Sequence, residues 1–135
     1  MISTSSIFGL FAQPGMSAYN ATKFAVRSLT ESLRQELDME ESGVSATCVH
    51  PGGIKTNIAR TARMDESMAG LMGEDTGTLQ ANFEKLFRTS ADDAAQAILK
   101  AVKRNRRRLL HAGYQGFVTG ALKFNRQRQN GSRRR

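Results

Sequence analysis

The chain has 135 residues, 39% apolar and 24% charged, enough for one domain with a core of its own. Its longest apolar runs are only a few residues, as at Leu10-Phe11-Ala12, and no charged stretch leads into an apolar one at the start, so it reads as having neither a membrane-spanning helix nor a secretory leader. The net charge of +8 is unevenly divided: nine basic and all twelve acidic residues precede Lys103, whereas eleven basic residues and no acid follow from Lys103 on, which excludes a uniformly basic domain.

In chain order, Met1 to Ser6 reads as the last part of a strand, β-branched and then small and polar. Residues 7 to 16, with Gly9, Pro14 and Gly15, read as a loop. Ser17 is placed to cap a helix that runs to about Glu41 and is stopped by Gly43. Along it, Ala25, Leu29, Leu33 and Leu37 recur every four residues and suggest a buried stripe, with Arg27, Glu31, Arg34 and Asp38 on other faces. Val44 to His50 is a β-prone run closed by Pro51-Gly52-Gly53, and reads as a buried parallel strand. Residues 54 to 87 are irregular and suit one or two short helices. Ser90, followed by Asp92 and Asp93, announces a helix to about Arg104. Arg107 to His111 suits a last strand.

Strand, helix, strand, helix, strand is the order of a parallel sheet with crossover helices. The fold class expected is α/β, part of a doubly wound, Rossmann-type parallel sheet. Residues 1–111 carry these elements, and 112–135 read as a basic tail.

The chemistry sits in a trio. Tyr19 and Lys23 stand one helical turn apart and point from the same face, and Ser6 precedes Tyr19 by thirteen residues at a strand end. A phenol alone is a poor base near neutrality, but an ammonium beside it favours the phenolate. Tyr19 can then exchange a proton with an alcohol oxygen while hydride moves at the carbon, and Ser6 can hold that oxygen by a hydrogen bond. A bare Tyr-x-x-x-Lys pair is common in helices; the surrounding residues give it meaning.

Tyr19-Asn20-Ala21-Thr22-Lys23-Phe24-Ala25-Val26 resembles the active-site segment of the short-chain dehydrogenases/reductases. Ser5-Ser6-Ile7-Phe8-Gly9 resembles their serine loop, and His50-Pro51-Gly52-Gly53-Ile54-Lys55-Thr56 their Pro-Gly-x-x-x-Thr segment. The resemblance spans roughly Ile2 to Leu110. It implies that Tyr19 is the catalytic acid/base, that Ser6 orients the substrate, and that Lys23 both assists Tyr19 and holds the nicotinamide ribose. It places Pro51, Gly52, Ile54 and Thr56 along the nicotinamide of NAD or NADP. It makes residues 57–88 a substrate lid, where Met64, Met68 and Met72 suit an adaptable apolar cover. It also implies a small alcohol or carbonyl substrate, and a homo-oligomeric parent whose interface includes part of the long helix.

Two departures accompany the resemblance. The family's Gly-rich phosphate turn does not occur in these 135 residues. The expectation is therefore a catalytic half without its N-terminal cofactor half, inactive alone. After Leu110 the chain matches no family pattern. The basic runs Arg104 to Arg108 and Arg133 to Arg135, interleaved with Tyr114, Phe117 and Phe124, leave open a module that binds nucleic acid or an anionic membrane, although no nucleic-acid motif accompanies them. His50 and His111 are too few and scattered for a metal site, and His50 reads as a packing residue beside the Pro-Gly turn. The single cysteine, Cys48, reads as a small buried hydrophobe and fits a cytoplasmic location.

Overall fold

The computed structural model describes residues 1–61, 70, 73, 75–85 and 87–110. Strands β1 (Ile2–Thr4), β2 (Thr47–His50) and β3 (Arg108–Leu110) form one parallel sheet in the order β1-β2-β3. Parallel neighbours require crossovers. Helix α1 (Ser17–Met39) makes the first and packs on β1 and β2. The second carries α2 (Ile58–Thr61), α3 (Thr76–Glu84) and α4 (Ala91–Lys103), and α4 packs on β2 and β3.

The middle strand is buried at every residue, whereas the flanking strands expose alternate residues. The register pairs Ile2, Ser3 and Thr4 with Thr47, Cys48 and Val49, and Cys48, Val49 and His50 with Arg108, Leu109 and Leu110. Val44 to Ala46, expected in the strand, stay outside it because the ladder with β1 starts only at Thr47. Instead the Met1 ammonium donates to the Ser45 carbonyl at 2.6 Å.

Helix α4 starts as the sequence suggests. Ser90 is its cap and accepts from the Asp93 N–H at 3.0 Å, Asp92 and Asp93 fill the first turn, and Lys100 and Lys103 the last. Helix α1 starts differently. Met16 occupies the cap position without a side-chain bond, and Ser17 is already helical. Asn20 ties the helix start down by donating its side-chain amide to the Gln13 carbonyl at 3.1 Å. The turn at Pro14-Gly15 makes this possible, with Gly15 at φ +78.

The expected leucine stripe does not form the buried face of α1. Ala25 is exposed, Leu29 is 71% exposed, and Leu33 and Leu37 are half-buried. Residues four apart advance by about 40° per step, so the row winds around the helix toward the sheet only at its C-terminal end. The face that stays inward follows a 3–4 alternation: Asn20, Lys23, Arg27, Thr30 and Arg34, of which Asn20, Thr30 and Arg34 are buried. It is polar because much of what it meets is backbone.

Arg34, expected on another face, is 7% exposed and serves as a tie. Its guanidinium donates to the Ala46 carbonyl at 3.1 Å, to Asn105 Oδ1 at 2.9 Å and to Asp38 at 3.0 Å. Asp38 also receives Arg107 at 2.7 Å, and Arg108 pairs with Glu31. Arg107 and Arg108, read from the sequence both as the start of the last strand and as part of a basic run open to phosphates, thus lie against the acids of α1. Their backbone is engaged as well, since Cys48 N donates to the Arg107 carbonyl at 3.0 Å. Residues 112–135, the expected tail, lie outside the described residues, as do His111, Met64, Met68 and Met72.

These packing differences give a direct comparison. Arg34→Ala should lower the unfolding free energy by roughly 2–3 kcal/mol, because it strands the Ala46 carbonyl and frees half of the Asp38 pairing. Leu29→Ala should cost less than about 0.5 kcal/mol. Urea denaturation of both variants measures the pair, and a larger loss for Leu29→Ala would contradict the packing described.

Candidate active site

Open parallel sheets bind ligands beyond the carboxyl ends of their strands. Here those ends are Ser5-Ser6 after β1 and Pro51-Gly52 after β2. They lie side by side: Ser5 N donates to the Val49 carbonyl at 2.8 Å and Ile7 N to the Pro51 carbonyl at 3.1 Å. After Ser6 the chain folds into a 3₁₀ turn, Ile7–Gly9, whose Ile7 and Phe8 are buried and are packed by Phe11 and Met16. The residues expected to form a loop therefore build the apolar footing of the site.

The 3₁₀ turn lies directly on the start of α1. Ser5 Oγ donates to the Lys23 carbonyl at 2.8 Å, and Arg27 donates to the Gly9 carbonyl at 2.9 Å. A Cβ on Gly9 would sit 2.7 Å from the Lys23 carbonyl oxygen and closer still to Ser5 Oγ. Only glycine fits there.

This contact sets the serine segment against the helix that carries Tyr19 and Lys23. Ser6 is buried, and its Oγ accepts from the Phe8 N–H at 3.2 Å. The hydroxyl proton is thereby left to donate elsewhere. Tyr19, 37% exposed, stands edge-on to the Phe8 ring with centroids 6.1 Å apart. The Lys23 ammonium lies 5.6 Å from the centre of the Tyr19 ring and donates to the Thr4 carbonyl at 3.2 Å. Lys23 thus links the end of β1 to Tyr19.

The Pro51-to-Thr56 segment divides. Pro51 adjoins the serine segment through Ile7, and Gly52 follows it, half-buried. Ile54 forms a parallel bridge with Thr89, and Lys55 N donates to the Thr89 carbonyl at 2.8 Å. Thr56 is exposed, and its Oγ1 accepts from Ile58 N at 3.4 Å.

Sequence reasoning left out Ser5, Gly9, Arg27 and the bond made by His50. Of these only Gly9, three residues past the serine, carried a signal, as a position of close approach. His50 is fully buried, and its Nδ1 lies 2.9 Å from the Ser6 carbonyl. Burial pushes the imidazole below its ordinary value of 6.5, against the opposing effect of the Ser6 carbonyl. Burial likewise pushes the Cys48 thiol up, opposed by a hydrogen bond with Thr30. Among the described residues no cluster of three or more His, Cys, Asp or Glu side chains can hold a metal ion. No helix among them is long and apolar enough to cross a membrane.

Two measurements follow from this geometry. Gly9→Ala should cost roughly 2 kcal/mol or more, the range for overfilling a packed contact, read from urea unfolding; an unchanged midpoint would contradict the contact. His50 is neutral in the fold, so below pH 6.5 the unfolded chain binds more protons than the folded one. Its share of stability is complete above that value and is lost as pH falls through it. Thermal unfolding should therefore drop more steeply between pH 7.5 and 5 in the wild type than in His50→Asn, and equal slopes would contradict the assignment.

Comparison with known proteins fits this geometry. Residues 1–67 match the family model described as short chain dehydrogenase. SadH of Mycobacterium tuberculosis, described as an oxidoreductase, is 45% identical over 111 residues, covering 82% of this chain and 38% of that protein. Dehydrogenase/reductase SDR family member 7B of Xenopus tropicalis is 36% identical over 110 residues, 81% of this chain and 32% of that one. A crystal structure of a short-chain dehydrogenase from Streptomyces avermitilis superposes with a TM-score of 0.63 at 25% identity, covering 98% of this chain and 50% of that one. The chain thus spans half or less of the length of each of these proteins.

Proposed function

The chain belongs to the short-chain dehydrogenase family, and from that premise we propose that it carries the catalytic segment of an NAD(P)-dependent oxidoreductase acting on an alcohol/carbonyl pair. The observation that supports this most is the placement of Tyr19 and Lys23 against the serine segment at the carboxyl end of β1, through the Phe8 ring and the Thr4 carbonyl.

In this reading Tyr19 is the acid/base. Its partial exposure lets a substrate reach the phenol, and the Lys23 ammonium stands over its ring. Ser6 donates its free hydroxyl proton to the substrate oxygen, so that oxygen is held while Tyr19 gives or takes a proton.

The donor set fits the nicotinamide end of NAD or NADP. The ammonium of Lys23 has three N–H donors. One is committed to Thr4, which leaves others for ribose hydroxyls. Pro51 and Gly52 border the same strand ends, and Ile54 and Thr56 continue along the proposed path. The cofactor, when bound, supplies or accepts the hydride. The sequence contains no Gly-rich turn between a strand and a helix for the pyrophosphate. We therefore assign the chain to the C-terminal, catalytic half of the family fold and take the isolated polypeptide to be inactive. Residues 57–88 are assigned to the substrate lid. A homo-oligomeric, cytoplasmic parent completes the reading.

The test is oxidation of NADH and NADPH against a carbonyl panel, run with the 135-residue chain and with the same chain joined in frame to the coding sequence upstream. The short chain should be silent and the longer one active, and Tyr19→Phe should lower kcat/KM by about a hundredfold or more. Turnover by the pure short chain would overturn the inactivity. Activity indifferent to Tyr19→Phe would overturn the role of Tyr19.

A further inference from the structure

The ladder between β1 and β2 loses a donor for a covalent reason. Continued past Thr4↔Val49, the parallel register pairs Ser5 with His50, and the donor it next offers, to the Ser5 carbonyl, is the N–H of residue 51. That residue is Pro51, which has none. The serine segment leaves the sheet at this point, where its geometry matters most. Two backbone bonds bracket it, from Ser5 N to the Val49 carbonyl and from Ile7 N to the Pro51 carbonyl, at 2.8 and 3.1 Å, and the Ser6 carbonyl accepts from Gly9 N at 2.9 Å. Between them the Ser6 carbonyl faces the imidazole of His50, 2.9 Å from Nδ1.

A carbonyl can only accept, so Nδ1 carries the proton. The other nitrogen, Nε2, is buried without a partner. An ordinary packing histidine is expected to satisfy both nitrogens or to expose one. His50 leaves one nitrogen bare and uses the other on the serine's own carbonyl. The charged groups acting on the ring are Arg108 of β3 and Glu31 and Arg27 of α1.

We propose that His50 is a positioning residue: beside the proline-interrupted ladder its Nδ1–H joins the Gly9 N–H on the Ser6 carbonyl, and so fixes the backbone at Ser6 with the hydroxyl in a single orientation. The two donors on that carbonyl set the peptide plane between Ser6 and Ile7. That plane in turn sets the Phe8 N–H that Ser6 Oγ accepts. Loss of the imidazole donor therefore reaches the hydroxyl through two bonds without touching Tyr19 or Lys23. The functional weight of the inference rests on the proposed role of Ser6; the linkage itself does not.

The test is NMR on the 135-residue chain, which needs no turnover and so fails separately from the dehydrogenase reading. Imidazole ¹⁵N shifts of the wild type should show His50 as the Nδ1–H tautomer, and the Nε2–H tautomer would overturn the proposal. The Hα–Hβ couplings of Ser6 should report one rotamer in the wild type and in His50→Asn, whose amide N–H can stand where Nδ1–H does. In His50→Leu they should average, and exchange of the Phe8 amide should rise about tenfold, as for the loss of one hydrogen bond. A single Ser6 rotamer in folded His50→Leu, or averaging in folded His50→Asn, would overturn it. Should neither variant fold, the tautomer in the wild type decides.

Discussion

Ser5 donates its hydroxyl into the Lys23 carbonyl, in the second turn of a 23-residue helix, and the rest of the site is arranged around that approach. Helix and serine segment lie so close that residue 9 has no room for a side chain. At that distance the backbone of each is dehydrated by the other, and each polar group needs a partner. Arg27 supplies one for the Gly9 carbonyl, and the Lys23 ammonium one for the Thr4 carbonyl. Tyr19 and Lys23 are thereby fixed to the same rigid piece as Ser6.

The two halves of α1 are held by different chemistry. At its start the helix rests on a 3₁₀ turn whose apolar side chains face Phe11 and Met16 and whose carbonyls face the helix. Farther along it is held by Arg34, which reaches the chain before β2 and the turn after α4, where Asn105 adopts φ +48. Asp38 gathers Arg34 and Arg107 onto one carboxylate. A buried guanidinium is costly unless its donors are used, and here three of its contacts join three separate segments. The helix is thus set in place by directional bonds at both ends, which suits a scaffold that must hold a phenol and an ammonium in fixed relation.

Beta-strand β2 joins these parts. Among the described strands it is the one with a neighbour on each side, and its last residue, His50, is in contact with the serine segment while its first, Thr47, donates to the Arg106 carbonyl at 2.8 Å. Pro51 ends the strand, and the serine segment stays beside it through the bond from Ile7 N to the Pro51 carbonyl.

The sequence by itself determined the class of fold, the order of elements and the three motifs. Parallel crossover topology follows from alternating patterns of period two and 3.6, and the Tyr19-to-Lys23 spacing places both on one helix face whatever surrounds it. The start of α4 was legible for the same local reason, because Ser90 caps with its own side chain. What only the tertiary structure decided is which residues face inward. The leucines of α1 read as core by hydrophobicity, yet the helix turned its polar row inward, because it meets carbonyls of a tight turn as well as an apolar sheet. Arg34 read only as lying off the leucine stripe, and Arg107 and Arg108 as part of a basic run that enters the last strand, until distant segments brought acids and carbonyls to them. The bond that His50 makes depends on Ser6, forty-four positions away. Local periodicity reports how a segment coils; the partner that satisfies each buried polar group comes from elsewhere in the chain, and only folding brings the two together.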